Sequence, residues 1–195
     1  MPQITRDSIL TLEAYAKARP EFRARVMAHK KSRIVHVGPD VTFLFEDELT
    51  IRYQIQEMLR VERTFEEADI QAELDAYNPL VPDGANWKVT MMIEYSEAEE
   101  RRVMLSKLIG IEDRAWVQVK GFSRLYAIAD EDLERDNDAK TASVHFLRFE
   151  LEAVMIGALK TGALLSVGID HPHYSAVVDS VDPAVTASLT EDLTA

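Results

Sequence analysis

The spacing of apolar positions divides the chain into helical and strand-like runs with no regular alternation between the two. Ile9, Leu12 and Ala16 recur at helical spacing across Ser8–Ala18, and Asp7 is the expected N-cap. Arg19-Pro20 is expected to end that helix. Pro20 would then open a second helix through Met27, with a stripe of Phe22 and Val26 that reaches His29. Two β-rich runs, Arg33–Gly38 and Val41–Glu46, flank Gly38-Pro39-Asp40 and read as a hairpin. A helix from Glu48 to Arg63 follows, with Ile51, Ile55, Met58 and Leu59 as its apolar stripe and Asp47 as its cap. Another spans Glu66–Tyr77 and stops before Asn78-Pro79 and the turn Pro82-Asp83-Gly84.

Trp87–Tyr95 alternates strictly, with Trp87, Val89, Met91, Ile93 and Tyr95 on one face, as a half-buried strand requires. Ser96–Ile109 is a helix that runs from acidic to basic, as its dipole favours, and ends at Gly110. Ala115–Lys120 and Arg124–Ala129 flank Gly121 as a second hairpin. Val144–Leu151 reads as a strand, Ala153–Lys160 as a short helix and Leu164–Ile169 as a last strand. Hairpins interleaved with helices predict an α+β fold. The expected architecture is a mostly antiparallel sheet of about six or seven strands with helices packed mainly on one side. One domain is expected over residues 1–182, followed by a weak C-terminal helix or tail over 183–195.

Composition narrows the chemistry. With 195 residues, the chain fits one domain at about 150 residues per domain and can bury roughly 70% of its surface. The absence of cysteine excludes disulfides, thiolate nucleophiles, cysteine zinc sites and cysteine-ligated iron–sulfur clusters. MPQITRDSIL has no basic and then apolar character of a secretory signal, and no apolar run reaches the ~18 residues of a membrane span. A cytoplasmic protein is the expectation. The net charge of −12 is uneven, since residues 1–33 hold eight Lys/Arg against three Asp/Glu. A basic row of Arg19, Arg23, Arg25, Lys30, Lys31 and Arg33 could serve RNA. The acidic remainder would repel a polyanion, so nucleic acid is not the expected partner.

No GxGxxG, P-loop, GxSxG or HExxH occurs. Among the five histidines, His171-Pro172-His173 is the most suggestive pair: in an extended segment both rings fall on one side, and Asp170 adds a carboxylate. Imidazole with carboxylate suits a divalent metal such as zinc, iron or manganese, with His145, His171 and His173 as candidate ligands beside Glu57 or Glu150. His145 alternates with Leu147 and Phe149, a pattern more typical of a hydrogen-bonded core histidine. Asp130-x-Asp132-x-Glu134-x-Asp136-x-Asp138 imitates a calcium loop, but Arg135 stands where glycine belongs and Thr141 where the closing glutamate belongs. On the long helix, Tyr53, Glu57 and Arg60 share a face at i, i+4 and i+7 beside the apolar stripe. They are the candidate cleft residues, with His145 or His171 expected across from them.

Six segments together resemble a known family: Glu13–Lys31, Phe43–Arg63, Glu73–Lys88, Ile128–Asn137, Ser143–Leu151 and Asp170–Tyr174. They are similar to the bacterial domain-of-unknown-function family 3501 over nearly the whole chain. Arg52, Tyr53, Gln54, Glu57, His145, His171, Pro172 and Tyr174 match its pattern, whereas His173 stands where other members carry alanine. Members tend to be encoded near rubrerythrin-like proteins and iron–sulfur oxidoreductases. The resemblance therefore implies a non-catalytic accessory or partner protein in a redox or oxidative-stress system. A chain without cysteine leaves the cluster to that partner. The alternative expectation is a metal-binding protein or metal-dependent enzyme built on the histidines and carboxylates.

Overall fold

A computed structural model describes residues 3–129 and 140–194. The acidic run Asp130–Asp138 lies outside the described residues, apart from which the chain forms a single α+β domain.

The first element is a departure from expectation. One helix, α1 (Leu12–Lys30), replaces the two that Pro20 was expected to separate, and its cap is Thr11, whose side chain accepts from the Ala14 N–H. Asp7 instead lies in a short turn of 3₁₀-helix at Arg6–Ser8. Proline inside a helix removes one backbone hydrogen bond and crowds the preceding turn, at a cost of about 3 kcal/mol. Two features offset it here. Ala16, whose carbonyl Pro20 cannot satisfy, lies with Pro20 on the exposed side. Tyr15, Arg19 and Phe22, on both sides of the proline, are all docked on the next helix.

The hairpin follows as expected: β1 (Ile34–His36) pairs with β2 (Val41–Glu46) around a turn in which Gly38 has φ +79°. Helix α2 (Glu48–Glu62) begins at a reciprocal cap, with the Thr50 N–H donating to Asp47 and the Asp47 N–H donating to Thr50 Oγ1. It ends with Arg63 in the left-handed region at φ 55°. Helix α3 (Glu67–Tyr77) packs behind it. Ile51, Ile55 and Leu59 of α2 meet Ile70 and Leu74 of α3 and Ile4 and Ile9 of the N-terminal segment in a core of their own. Two side-chain amides clasp that segment: Asn78 bonds the N–H and carbonyl of Ile4, and Gln56 those of Leu10.

The strands divide between two antiparallel sheets where one was expected. The larger has the order β1-β2-β3-β7-β6, with β3 at Asn86–Ile93, β6 at Ile128–Ala129 and β7 at Val144–Glu150. The smaller has the order β5-β4-β8-β9, with β4 at Ala115–Val119, β5 at Leu125–Tyr126, β8 at Leu165–His171 and β9 at Tyr174–Val178. The chain passes from one sheet to the other at Ala127, so the second hairpin's return arm serves both. The sequence pattern missed β9, because Pro172 and His173 occupy the turn of a β8–β9 hairpin and do not extend a strand.

The inner faces of both sheets share one core, in which Phe43, Phe45, Trp87, Val89 and Phe149 meet Val117, Val167 and Ile169. Helices α4 (Ala98–Lys107), α5 (Ala153–Lys160) and α6 (Pro183–Glu191) supply Leu105, Ile156 and Leu189 to it. Residues 183–194 are thus part of the packed body, with Val185 and Leu193 also buried. Tyr174 ties β9 to the first hairpin: its hydroxyl donates to the Val37 carbonyl at 2.7 Å and accepts from the Asp40 N–H at 3.1 Å. A Cβ on Gly38 would sit 2.6 Å from that oxygen, so the turn needs glycine for both conformation and space. No helix among the described residues is long and apolar enough to cross a membrane.

Candidate functional site

The helical lobe of α1, α2 and α3 carries most of the polar chemistry. Glu57 lies at its centre. Arg19 clasps it with Nε to Oε1 at 2.7 Å and Nη2 to Oε2 at 2.8 Å, and Tyr15 donates its hydroxyl at 2.7 Å. Arg60 approaches Oε2 at 3.4 Å. The Arg19 guanidinium, with help from Tyr15 and Arg60, outweighs partial burial and lowers the Glu57 carboxyl to about 2. Burial and the adjoining carboxylate push the Tyr15 hydroxyl the other way, upward. At neutral pH Glu57 is therefore a carboxylate with its lone pairs engaged. Tyr53 makes no hydrogen bond to Glu57 and packs edge-on against Phe22, with ring centroids 5.9 Å apart, while Lys30 Nζ lies 6.0 Å from the Tyr53 ring. Of the three expected cleft residues, Glu57 and Arg60 come together, and the tyrosine bonded to them is Tyr15.

His145 and His171 do not face this cluster. His145 is fully buried on β7, with Nε2 2.8 Å from Thr141 Oγ1 and 3.1 Å from the Ala142 carbonyl. Its register partner is Met91, as the alternation of β7 requires. His171 ends β8. Its Nε2 lies 3.1 Å from the Ile109 carbonyl, and its Nδ1 accepts from the His173 N–H at 3.2 Å. That arrangement puts the proton on Nε2 and uses the lone pair of Nδ1. Burial pulls its pKa down, so the ring is neutral. The His171 and His173 rings are 5.8 Å apart, brought together by the hairpin turn. Asp170 instead accepts from the Tyr126 hydroxyl at 2.6 Å and pairs with Arg124 at 3.2 Å. No three His, Asp or Glu side chains among the described residues are placed to share a metal ion.

A second polar centre joins the lobe to the β body. Arg33 is 1% exposed. It donates to the carbonyls of Phe45 at 2.9 Å and Glu46 at 3.2 Å, pairs with Asp192 beyond α6, and lies 3.4 Å from Asp47. Asp47 also meets His29 Nε2 at 2.5 Å. Glu46 accepts from the hydroxyls of Thr50 at 2.5 Å and Thr90 at 2.6 Å. Sequence reasoning placed Arg33 in a basic surface row and left Asp192 in the terminal segment. The one signal available was Asp47 as a cap. Arg19, of the same row, is committed to Glu57.

The open surface of the lobe carries charges of both signs, with Glu21, Glu62, Glu66 and Asp69 exposed on it. Arg23, Arg25 and Lys31 are exposed and form no ion pair among the described residues, whereas Lys17 pairs with Glu13. Between α1, α2 and the N-terminal segment runs a groove of about 310 Å³, lined on α2 by Arg52 and Gln56.

Comparison with known proteins agrees with the resemblance drawn from the sequence. The family DUF3501, described as a protein of unknown function, matches residues 3–193. The chain belongs to this family. A crystal structure of a novel protein of unknown function from Burkholderia pseudomallei is similar at 58% identity, over 99% of this chain and 100% of that one, with a TM-score of 0.94. No curated protein matches. The DUF3501 fold is thus the one described, and the family description assigns it no reaction.

Proposed function

We propose that this DUF3501 chain is a non-catalytic accessory protein that docks an acidic patch of a partner protein on the exposed cations Arg23 and Lys31. The observation that carries the reading is a pair of exposed cations, Arg23 on α1 and Lys31 at its C-terminal end, which form no ion pair among the described residues on a chain of net charge −12. Such a local reversal of sign steers a complementary acidic surface and gives an association that weakens with salt. Two ionisable groups that could have served catalysis are held by neighbours. Glu57 is engaged by two arginines and a tyrosine, and His171 is engaged through both ring nitrogens. The redox setting, with an iron–sulfur oxidoreductase or rubrerythrin-like protein as the partner, is the one implied by the family resemblance.

The test is purification from the native host at native expression, with wild type beside the double variant Arg23→Glu/Lys31→Glu. Wild type should bring down an acidic oxidoreductase or rubrerythrin-like protein, and the variant should lose most of it while melting within about 1 °C of wild type, as surface changes do. Recovery of no such partner, or equal recovery by the variant, overturns the reading. Recovery of RNA in its place would return the basic row to nucleic acid.

A further inference from the structure

We propose that the groove between α1, α2 and the Ser8–Leu10 segment binds a small organic monocarboxylate with an apolar body. This goes beyond the docking of a partner protein and needs none. The groove encloses about 310 Å³, at the lower end of the range for ligand pockets, which suits a metabolite-sized acid.

Its walls are fixed before any ligand arrives. The Gln56 side chain is fixed by Leu10, accepting from its N–H at 2.7 Å and donating to its carbonyl at 3.3 Å. The Ser8 hydroxyl donates to the Thr5 carbonyl at 2.7 Å. The polar groups left to a ligand are two guanidinium groups. Arg25 lies 5.0 Å and Arg52 5.6 Å from the centre of the Phe22 ring. Stacking on an aromatic face holds a guanidinium plane while leaving its N–H edges available. Arg25 makes no hydrogen bond or ion pair among the described residues. Arg52 is ion-paired with Glu48 through its buried Nε, 3.2 Å from Oε1, which leaves its two Nη groups without a hydrogen bond among the described residues. A carboxylate is an acceptor whose two oxygens match the N–H edge of a guanidinium group.

The remaining lining sets the rest of the ligand. Leu10, Ala18 and Phe22 give an apolar surface, and Leu10 is 43% exposed, which the packing of the lobe does not require. Glu21 stands on the rim one helical turn before Arg25, and Glu48 adjoins Arg52. A second negative charge on the ligand would meet one of these carboxylates, so a monoanion is favoured over a dicarboxylate or a phosphate.

The test is titration followed by amide chemical shifts, with hydrocinnamate, phenethylamine, succinate and inorganic phosphate as probes. Hydrocinnamate should bind saturably with a dissociation constant of roughly millimolar order, as expected for a ligand of its size. The shifts should centre on Leu10, Ala18, Phe22 and Arg52. Arg52→Gln should weaken binding roughly tenfold or more, the usual effect of losing a hydrogen bond between charged groups. Arg52 packs on Phe22, so the exposed Arg25→Gln provides a second variant expected to weaken binding without a change in melting temperature. The proposal fails if hydrocinnamate does not saturate, if both variants bind as wild type does, or if phenethylamine, succinate or phosphate binds as well as hydrocinnamate.

Discussion

Arg33→Met removes a buried cation and leaves its partners in place. Arg33 is 1% exposed, and methionine fills much of the same channel without a cavity of consequence. What is lost is electrostatic. Asp192 and Asp47 would share an interior without the guanidinium between them, and the carbonyls of Phe45 and Glu46 would each lose a donor. Breaking a buried pair by deleting one member typically costs about 3–5 kcal/mol. For a chain of this length, each kcal/mol lowers the melting temperature by about 2–4 °C, so a fall of about 10 °C is expected.

The two carboxylates are not equivalent. Burial raises the Asp192 carboxyl despite Arg33, so its protonated form is favoured by folding. The stability tied to that proton is full below the ordinary carboxylate range and is lost as pH rises through the folded value. Burial also acts upward on Asp47, but Arg33, the Thr50 N–H and His29 prevail and hold it low. Its contribution is full above the ordinary range and is lost as pH falls through its folded value. Asp192→Asn should therefore cost only about 1 kcal/mol at neutral pH, because relief from burying a charge offsets the lost attraction. Adding Asp192→Asn to Arg33→Met should recover part of the loss. Urea unfolding at neutral pH measures all three. An Arg33→Met loss below about 1 kcal/mol, or a double variant less stable than the single, would refute the account.

Three further outcomes are expected. Glu57→Gln should lower stability at neutral pH by about 1–2 kcal/mol, since solvent reaches the rim of the cluster and screens it; because the Glu57 carboxyl falls from its ordinary 4.5 to about 2, its contribution is full above 4.5 and is lost between those values, so the variant's acid-unfolding curve should be flatter there. Gly168→Ala should destabilise the smaller sheet by about 1–3 kcal/mol, because the new methyl group would collide with the Trp116 ring inside the β4–β8 pair; thermal unfolding reads it directly. Protein purified without a histidine tag should carry zinc, iron or manganese only below stoichiometric amounts by elemental analysis, and His171→Ala should change melting temperature and leave metal content unaltered, since both ring nitrogens serve the backbone; one firmly held metal per chain, lost in that variant, would restore the histidine site.

The local grammar of the chain was legible wherever neighbours in sequence decide the structure. Asp47 and Thr50 announce the start of α2 three residues apart, and the strict alternation from Trp87 reports one buried face of β3. The failures share another cause. Pro20 obeys its local rule in isolation, but Tyr15, Arg19 and Phe22 hold both halves of α1 against α2, and tertiary contact overrides propensity. Two sheets could not be told from one, because the chain changes sheet through α4, at Ala127 and through α5, and none of these crossings carries a pattern of its own in the sequence.

The polar centres follow the same logic and show why function is harder to read than fold. Glu57 and Arg60 are three residues apart, so helical spacing predicts their encounter. Arg19 is 38 residues from Glu57 and Tyr15 is 42, and Asp192 is 159 residues from Arg33. No period in the sequence encodes those distances. A charged residue on an amphipathic helix looks the same whether it faces water or a distant carboxylate. The basic row therefore held two kinds of residue that sequence could not separate. Arg19 and Arg33 are consumed within the molecule, and their loss should register as instability. Arg23, Arg25 and Lys31 are left over, and their loss should register only in what the protein binds. That division can be tested by measurement: charge reversals at the first pair should lower the melting temperature, and reversals at the second three should not. If the second group proved as costly to the fold as the first, the surface of α1 would be structural and both binding proposals would lose their footing.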